Sequence, residues 1–309
     1  MNSRRIIAEA WEFTKRNKRL MWWYAFFPSL VTTLVGVLYV SYQFLAFKYS
    51  GLFSEPHRNM IVELGRPALA FLNDHTQLWI PTIMVLFILL ISYTLLPTVC
   101  QGALIRIIAK SRRGEEVRVS SGLSLGLLVF LPLLEYHLLV KTFSLFSILT
   151  ESSFVVRNLG LNALTTLLPV IVLIFIVGLL LTLLFTYSEF FIVLERQSVL
   201  NAMGQSAKLV LLSWQHTFLI LILMAIIGLR IAINIIAILL IPALLFLSAG
   251  YVATITFSSL GMVIGGVMML IALIIASYFS GILSVFANAV WTFTFLELRT
   301  QTDIAEEMA

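Results

Sequence analysis

The chain has 309 residues, of which 60% are hydrophobic and only 11% are charged, and its mean hydropathy is +1.02. A soluble domain carries roughly a quarter charged residues, so this composition cannot solvate a globular surface, and most of the surface must face lipid. The net charge of +5 at pH 7 does not indicate nucleic-acid binding, because the Lys and Arg residues cluster beside apolar segments without a zinc-ligand spacing or a basic and aromatic face.

The N-terminal segment is basic and amphipathic. Ile7, Ala10, Trp11 and Thr14 are spaced to share one helical face, so we expect a helix that lies in the membrane interface with its apolar side towards the lipid. The apolar run that follows, from about residue 20 to 47, is too long for the hydrophobic region of a signal peptide. We therefore expect it to remain as a membrane anchor.

Six apolar runs are long enough to cross the hydrocarbon core, which takes roughly 20 helical residues. They cover approximately residues 20–47, 78–105, 123–149, 161–187, 217–247 and 259–296. The sequence therefore predicts an all-α fold, a polytopic membrane helical bundle of about six transmembrane helices with interfacial amphipathic helices, in which residues 1–309 form a single integral membrane domain. The uncharged stretch 241–260 is a loop, a re-entrant segment or a broken helix.

The distribution of Lys and Arg between the loops predicts the orientation. The N-terminal segment, the loop 106–118, the loop after the fourth run and the C-terminal tail hold fourteen of them, whereas the loops on the other side hold four. We therefore expect a multi-pass protein of the cell membrane (inner or plasma) with both termini in the cytoplasm. Arg112, Arg113 and Arg118 are candidate contacts for anionic lipid headgroups.

Charged residues inside the predicted spans are the most informative feature. Glu135 and His137 lie in the third run, and Arg230 and Asn234 lie in the fifth. A charge at the bilayer centre costs about 3 kcal/mol on insertion scales, so such residues tend to be paired. Glu135 and Arg230 reach matching depth, and we predict a salt bridge between them with His137 or Asn234 as auxiliary partners. This cluster is either a structural pair that fixes packing or part of a cavity or proton relay.

The chain also has the layout of a loose threefold repeat, with units at 1–110, 111–195 and 196–309. Each unit is an amphipathic stretch followed by a membrane hairpin. In the third unit, residues 198–213 are predicted to form a helix that lies parallel to the membrane or has its apolar face buried against neighbouring helices. The residues of that face are Val199, Ala202, Met203, Ser206, Leu209 and Val210.

Two patterns of small residues have competing interpretations. Gly122-Leu-Ser-Leu-Gly126 has the spacing of a serine nucleophile elbow, but it opens a predicted membrane helix and follows no strand, so a small-residue helix start is favoured. The sixth run carries small or polar residues at three- and four-residue spacing, namely Ser277, Gly281, Ser284 and Asn288. Close packing of helices is favoured there over a polar conduction or lipid pathway.

Two stretches resemble a known group of proteins. One is residues 187–210, which begins Tyr-Ser-Glu-Phe-Phe-Ile-Val-Leu-Glu-Arg and leads on to Trp214, and the other is residues 287–299, Ala-Asn-Ala-Val-Trp-Thr-Phe-Thr-Phe-Leu-Glu-Leu-Arg. They are similar to bacterial six-helix membrane proteins that include the membrane domain of some glycerophosphodiester phosphodiesterases and the YciC-like proteins. The resemblance implies a fold. The phosphodiesterase chemistry of that family lies in a separate barrel domain, so no catalytic residue carries over.

These observations favour a non-enzymatic scaffold or accessory protein of the cell envelope, whose partners are membrane lipids and other membrane proteins. No catalytic, metal or cofactor site is predicted, and the histidines His57 and His75 lack further ligands at metal-binding spacing. The alternative is a transporter or lipid-translocating protein that uses the intramembrane polar residues. An intramembrane hydrolase, in which Ser124 would meet a histidine such as His216, ranks last.

Overall fold

The computed structural model describes residues 3–48, 69–115, 122–141, 145–229 and 258–307. Within those ranges the chain is helical apart from short turns and contains no strand. The prediction of an all-α fold is therefore confirmed. Arg118, Arg230, Asn234 and the stretch 241–257 lie outside the described residues.

Ten helices account for most of the described chain, and a helical turn, Lys18–Leu20, and a π-helix, Met21–Phe26, join the first two. The ten are α1 Ser3–Arg16, α2 Phe27–Lys48, α3 Trp79–Arg112, α4 Gly122–Leu127, α5 Phe130–Lys141, α6 Leu145–Leu184, α7 Ser188–Glu195, α8 Val199–Leu212, α9 Trp214–Leu229 and α10 Ser258–Glu307.

Long apolar helices dominate the described chain. Only 6% to 28% of the most apolar stretch in each of them is buried, so most of their side chains face outward, as expected for helices in lipid. In addition, α8 and α9 are apolar but bent by 97° at their junction. Among the described residues, four helices are thus long and apolar enough to cross a membrane, or five if the bent pair is one span. The four are Lys18–Gln43, Thr76–Arg112, Asn162–Glu195 and Gly266–Gln301.

The third predicted run, 123–149, is divided in the structure. It contains α4 and the 12-residue α5, which is about 18 Å long and falls short of the hydrocarbon core of about 30 Å. Pro132 explains the break, because its ring clashes with the carbonyl four residues earlier and it has no N–H to donate. Leu128 and Val129 accordingly form a turn, and Pro132 lies in the first turn of α5, where proline is tolerated.

The last helix, α10, is longer than the sixth predicted run. Its 50 residues extend for about 75 Å, well over twice the thickness of the hydrocarbon core. α10 is therefore much longer than a single crossing of a bilayer requires. The fifth predicted run is described only as far as residue 229.

The described residues form two compact units, one from 1–34, 99–129 and 211–309, and the other from 35–98 and 130–210. In the first unit, α1 packs against α10, and the rings of Trp11 and Phe286 meet edge to face with centroids 5.6 Å apart. The buried face of α1 contains Ile6, Ala10 and Thr14. The sequence placed Ile7 and Trp11 on this face, but Trp11 is 42% exposed. The buried face contains Ile6 in place of Ile7, so its centre is rotated by roughly 45° from the predicted one.

Small residues bring backbones together in the first unit. A Cβ atom on Gly281 of α10 would lie 3.3 Å from the Phe26 Cα in the π-helix, and one on Gly126 would lie 3.2 Å from the Ala103 Cβ. Ser277 and Asn288 bond to carbonyls of their own helix at 2.7 and 2.8 Å. These contacts agree with the packing interpretation of both small-residue patterns.

In the second unit, α8 is buried against the turn between α6 and α7. The Ser206 hydroxyl donates to the Leu184 carbonyl at 2.7 Å and accepts from the Tyr187 N–H at 3.0 Å, which satisfies backbone groups at the two helix ends. Five of the six residues on the predicted apolar face of α8 are buried, namely Val199, Ala202, Ser206, Leu209 and Val210. The helix is confirmed, and its face is covered by protein.

A glycine divides α6. Gly160 has φ 84° and ψ 174°, a backbone conformation that essentially only glycine adopts. The stretch that follows, Asn162–Glu195, is the most apolar of the candidate spans. Gly160 therefore marks the start of that span.

Candidate functional site

The first candidate site lies in the first unit, where charged side chains of α1, α3 and α10 meet. Arg5 and Glu9 are one helical turn apart on α1, and their charged groups are 3.2 Å apart. Arg112 ends α3, where a cation is favoured by the helix dipole. Glu297 of α10 faces both arginines, at 3.4 Å from Arg112 and 3.9 Å from Arg5. We call these four residues the arginine–glutamate network.

Arg112 is the centre of the network. Its Nη1 donates to the Phe293 carbonyl at 2.6 Å, its Nη2 is 3.4 Å from Glu297 and 4.0 Å from Glu9, and its guanidinium lies 4.5 Å from the centre of the Phe293 ring. The side chains of Arg112 and Glu297 are only 24% and 17% exposed. A hydrogen bond to a charged group contributes about 1.5–3 kcal/mol when it is protected in this way, and the ring adds a cation–π contact. Arg112 therefore holds α1 and α3 to α10.

An open groove of about 510 Å³ adjoins the network. Its wall combines three arginines with neutral residues of the last turns of α10 and one carboxylate. The lining residues are Arg5, Arg112, Arg113, Leu296, Glu297, Thr300 and Gln301. We call this feature the arginine groove.

The two predicted lipid contacts that the structure describes, Arg112 and Arg113, have different environments. Arg112 is engaged by protein groups, whereas Arg113 is exposed and its guanidinium has no hydrogen-bond or ion-pair partner in the described part of the chain. Arg118 lies outside the described residues. Of the two that the structure describes, Arg113 is the residue whose charge is not paired within the described part of the chain. The sequence did not indicate Glu9 or Glu297, which are separated from Arg112 by about a hundred and by 185 positions along the chain.

The second candidate site lies in the second unit and contains His137. The Nε2 atom of His137 on α5 is 3.0 Å from Oε1 of Glu189 on α7, and its Nδ1 is 3.4 Å from the Thr98 hydroxyl on α3. A neutral imidazole satisfies both contacts when Nε2 donates to the carboxylate and Nδ1 accepts from the hydroxyl. The side chains of His137 and Glu189 are 12% and 22% exposed. The three residues thus form a partly buried polar chain between helices.

The predicted polar cluster is only partly brought together. Glu135 is exposed, and it lies two positions from His137 on α5, about 200° away around the helix, so the two side chains face different directions. Arg230 and Asn234 lie outside the described residues, and the Glu135–Arg230 salt bridge stays a prediction. Glu189 was not predicted as a site residue. Its position as a carboxylate at the end of an apolar run is the signal that could have indicated it.

Comparison with known proteins gives no match: no family profile, curated sequence or solved structure is similar to this chain at a significant level. Among the described residues, no group of three or more His, Cys, Asp or Glu side chains is placed to hold a metal ion. The two polar clusters are therefore the features on which a functional argument can rest.

Proposed function

We propose that the chain is a six-span protein of the cell membrane with both termini in the cytoplasm, and that it is a non-enzymatic scaffold or accessory protein. Fourteen Lys and Arg residues on one side of the predicted spans against four on the other support this orientation. The resemblance to bacterial six-helix membrane proteins agrees with the number of spans. In this proposal the third span is broken near Pro132, and α1 and α8 lie at the cytoplasmic interface.

One observation carries the proposal of a scaffold. The arginine–glutamate network uses its charged side chains to hold α1 and α3 to α10, with Arg112 bonded to Phe293 and Glu297 at 2.6 and 3.4 Å. Such partly buried pairs fix the arrangement of helices when every member has a partner. The exposed apolar faces of the long helices then provide surface for lipids and for helices of other membrane proteins.

Photo-crosslinking in intact membranes tests the scaffold. A photoreactive amino acid is placed at Val85 or Leu173, which are 63% and 61% exposed, and at the buried Leu104 as the matched control, which is 1% exposed. A scaffold predicts discrete adducts with other membrane proteins at the exposed positions and none at Leu104. Adducts with lipid alone at both exposed positions would contradict the proposal.

A second function is favoured by the polar chain of His137, Glu189 and Thr98. A histidine and a carboxylate 3.0 Å apart beside apolar helices are the groups that proton relays use in membrane transporters. The alternative proposal is therefore a transporter or lipid-translocating protein that uses these residues. Purified protein in liposomes is assayed for proton flux and for scrambling of fluorescent lipids. Activity that is lost in Glu189→Gln would favour this alternative, and vesicles no more active than protein-free ones would count against it.

A further inference from the structure

The charges around the arginine groove do not cancel. The guanidinium groups of Arg5, Arg112 and Arg113 line the groove, and the carboxylates of Glu9 and Glu297 pair with Arg5 and Arg112. The balance is one positive charge. Both carboxylates are within 4 Å of Arg112 and of Arg5, so the excess charge is concentrated at Arg113, which is exposed and unpaired among the described residues.

The carboxylates also fix the arginines in place. Glu297 is 3.4 Å from Arg112 and 3.9 Å from Arg5, so two guanidinium groups lie together at one wall of the groove. That of Arg112 is held there before any ligand arrives, because it is 24% exposed and also bonded to the Phe293 carbonyl. A guanidinium carries five N–H donors, and the contacts of Arg112 to Phe293 and Glu297 leave donors on both Nη atoms. Preorganised donors reduce the entropy that is lost on binding. The groove therefore offers fixed donors beside Arg113, which has no partner among the described residues.

We propose that the arginine groove binds a phosphate ester. Arginine forks match phosphate oxygens in bidentate geometry, and the Gln301 amide is a further donor at the wall of the groove. A volume of about 510 Å³ lies within the range of small-molecule sites and accommodates a phosphate with an attached group, which would contact Leu296. A phospholipid headgroup and a soluble phosphate ester share this chemistry.

This inference deepens the proposed function, because the groove lies at the basic, cytoplasmic end of the predicted spans. It is tested separately from the scaffold. The full chain in detergent is titrated with glycerol 3-phosphate and with inorganic phosphate, and its binding to phosphatidylcholine vesicles is compared with binding to vesicles that also contain phosphatidic acid. Retention by phosphatidic acid alone identifies a headgroup site, and binding of glycerol 3-phosphate alone identifies a soluble ligand. Either result supports the proposal even if the crosslinking experiment fails.

Matched variants separate a built site from general attraction to a basic protein. Arg113→Gln is expected to weaken binding by about tenfold, which corresponds to the loss of one charge-assisted contact. The affinity of Arg113→Lys is expected to lie between those of Arg113→Gln and the unsubstituted chain, because lysine keeps the charge but cannot form the bidentate contact. The control is Arg16→Gln, since Arg16 pairs with Glu12 on the same helix as Arg5 but lies outside the groove.

The control also defines the result that overturns the proposal. Equal losses in Arg113→Gln and Arg16→Gln would mean that net charge alone attracts the anion, as would retention of full affinity in Arg113→Gln. Binding of neither glycerol 3-phosphate nor phosphatidic acid would overturn it as well. Gel filtration of each variant checks that it is folded. Arg113 is exposed, so its substitution is expected to leave the elution volume unchanged.

Discussion

His137 on α5 and Glu189 on α7 are joined through Nε2 and Oε1 at 3.0 Å, and both side chains are largely covered by protein. The pair links two short helices within one compact unit. A buried polar group that loses its partner costs more than the bond itself contributed, because the remaining group has neither protein nor water to bond with. The pair is therefore expected to make a measurable contribution to stability.

Replacement of His137 by Ala is expected to lower the free energy of unfolding by about 1–3 kcal/mol, because it leaves the Glu189 carboxylate without its partner. Glu189→Gln should cost less, since the amide oxygen still accepts from Nε2. The control is Glu151→Gln, which changes an exposed carboxylate of the same unit. Unfolding can be followed with a thiol-reactive dye, because Cys100 is the single cysteine and is 3% exposed in the folded protein. Equal midpoints for all three variants would contradict this expectation.

Arg112 is expected to matter for stability, whereas Arg113 is not. Arg112→Gln removes the contacts to Phe293 and Glu297 and should lower the free energy of unfolding by about 1–3 kcal/mol. Arg113→Gln should change it by less than about 0.5 kcal/mol, as is usual for exposed residues. The double variant Arg112→Gln, Glu297→Gln should cost less than the sum of the single changes, since the two residues are in contact. Additive effects in this cycle would refute the coupling.

Two glycines should respond in opposite ways to alanine. A Cβ on Gly126 would overlap the Val99 carbonyl oxygen, whereas one on Gly266 has no atom within 4 Å. Gly126→Ala is expected to destabilise by about 1–3 kcal/mol through overpacking. Gly266→Ala is expected to stabilise by roughly 0.5–1 kcal/mol because alanine loses less entropy in a helix. The same thiol-dye assay measures both, and a stabilised Gly126→Ala variant would contradict the close approach.

The proposed topology predicts which sides of the membrane are labelled. In a Cys100→Ser background, Asp74→Cys should react with an impermeant maleimide in intact cells. Ser111→Cys and Gln301→Cys should react only after the membrane is permeabilised, because the basic ends of α3 and α10 are expected in the cytoplasm. All three positions are exposed. Reporter enzymes fused after Gly114 and after Ala309 should likewise be read as cytoplasmic. Labelling of Gln301→Cys in intact cells would refute the six-span proposal.

Helix positions were predictable where the determining signal is local. The long apolar runs beginning near residues 20, 78, 161 and 259 correspond to the four candidate spans, because a chain in lipid must satisfy its backbone bonds within each segment. The helix at Val199–Leu212 was predicted from its apolar spacing and is observed. The break before α5 has a local cause as well. The sequence contains Pro132, but the prediction of a continuous span rested on the long apolar run alone.

The composition and the spacing of apolar residues by themselves determined an all-helical chain with several long apolar helices. The reason is that a long apolar segment must satisfy its backbone hydrogen bonds locally, within each helix. Only the tertiary structure decided which charges meet. Arg112 bonds to Glu297, 185 positions away. His137 bonds to Glu189, whereas the nearby Glu135 points in a different direction and is exposed. Which carboxylate a basic side chain bonds to depends on which helix faces lie together and on distances of a few ångströms. Neighbouring residues on a helix point about 100° apart, so a shift by one residue removes a side chain from its partner.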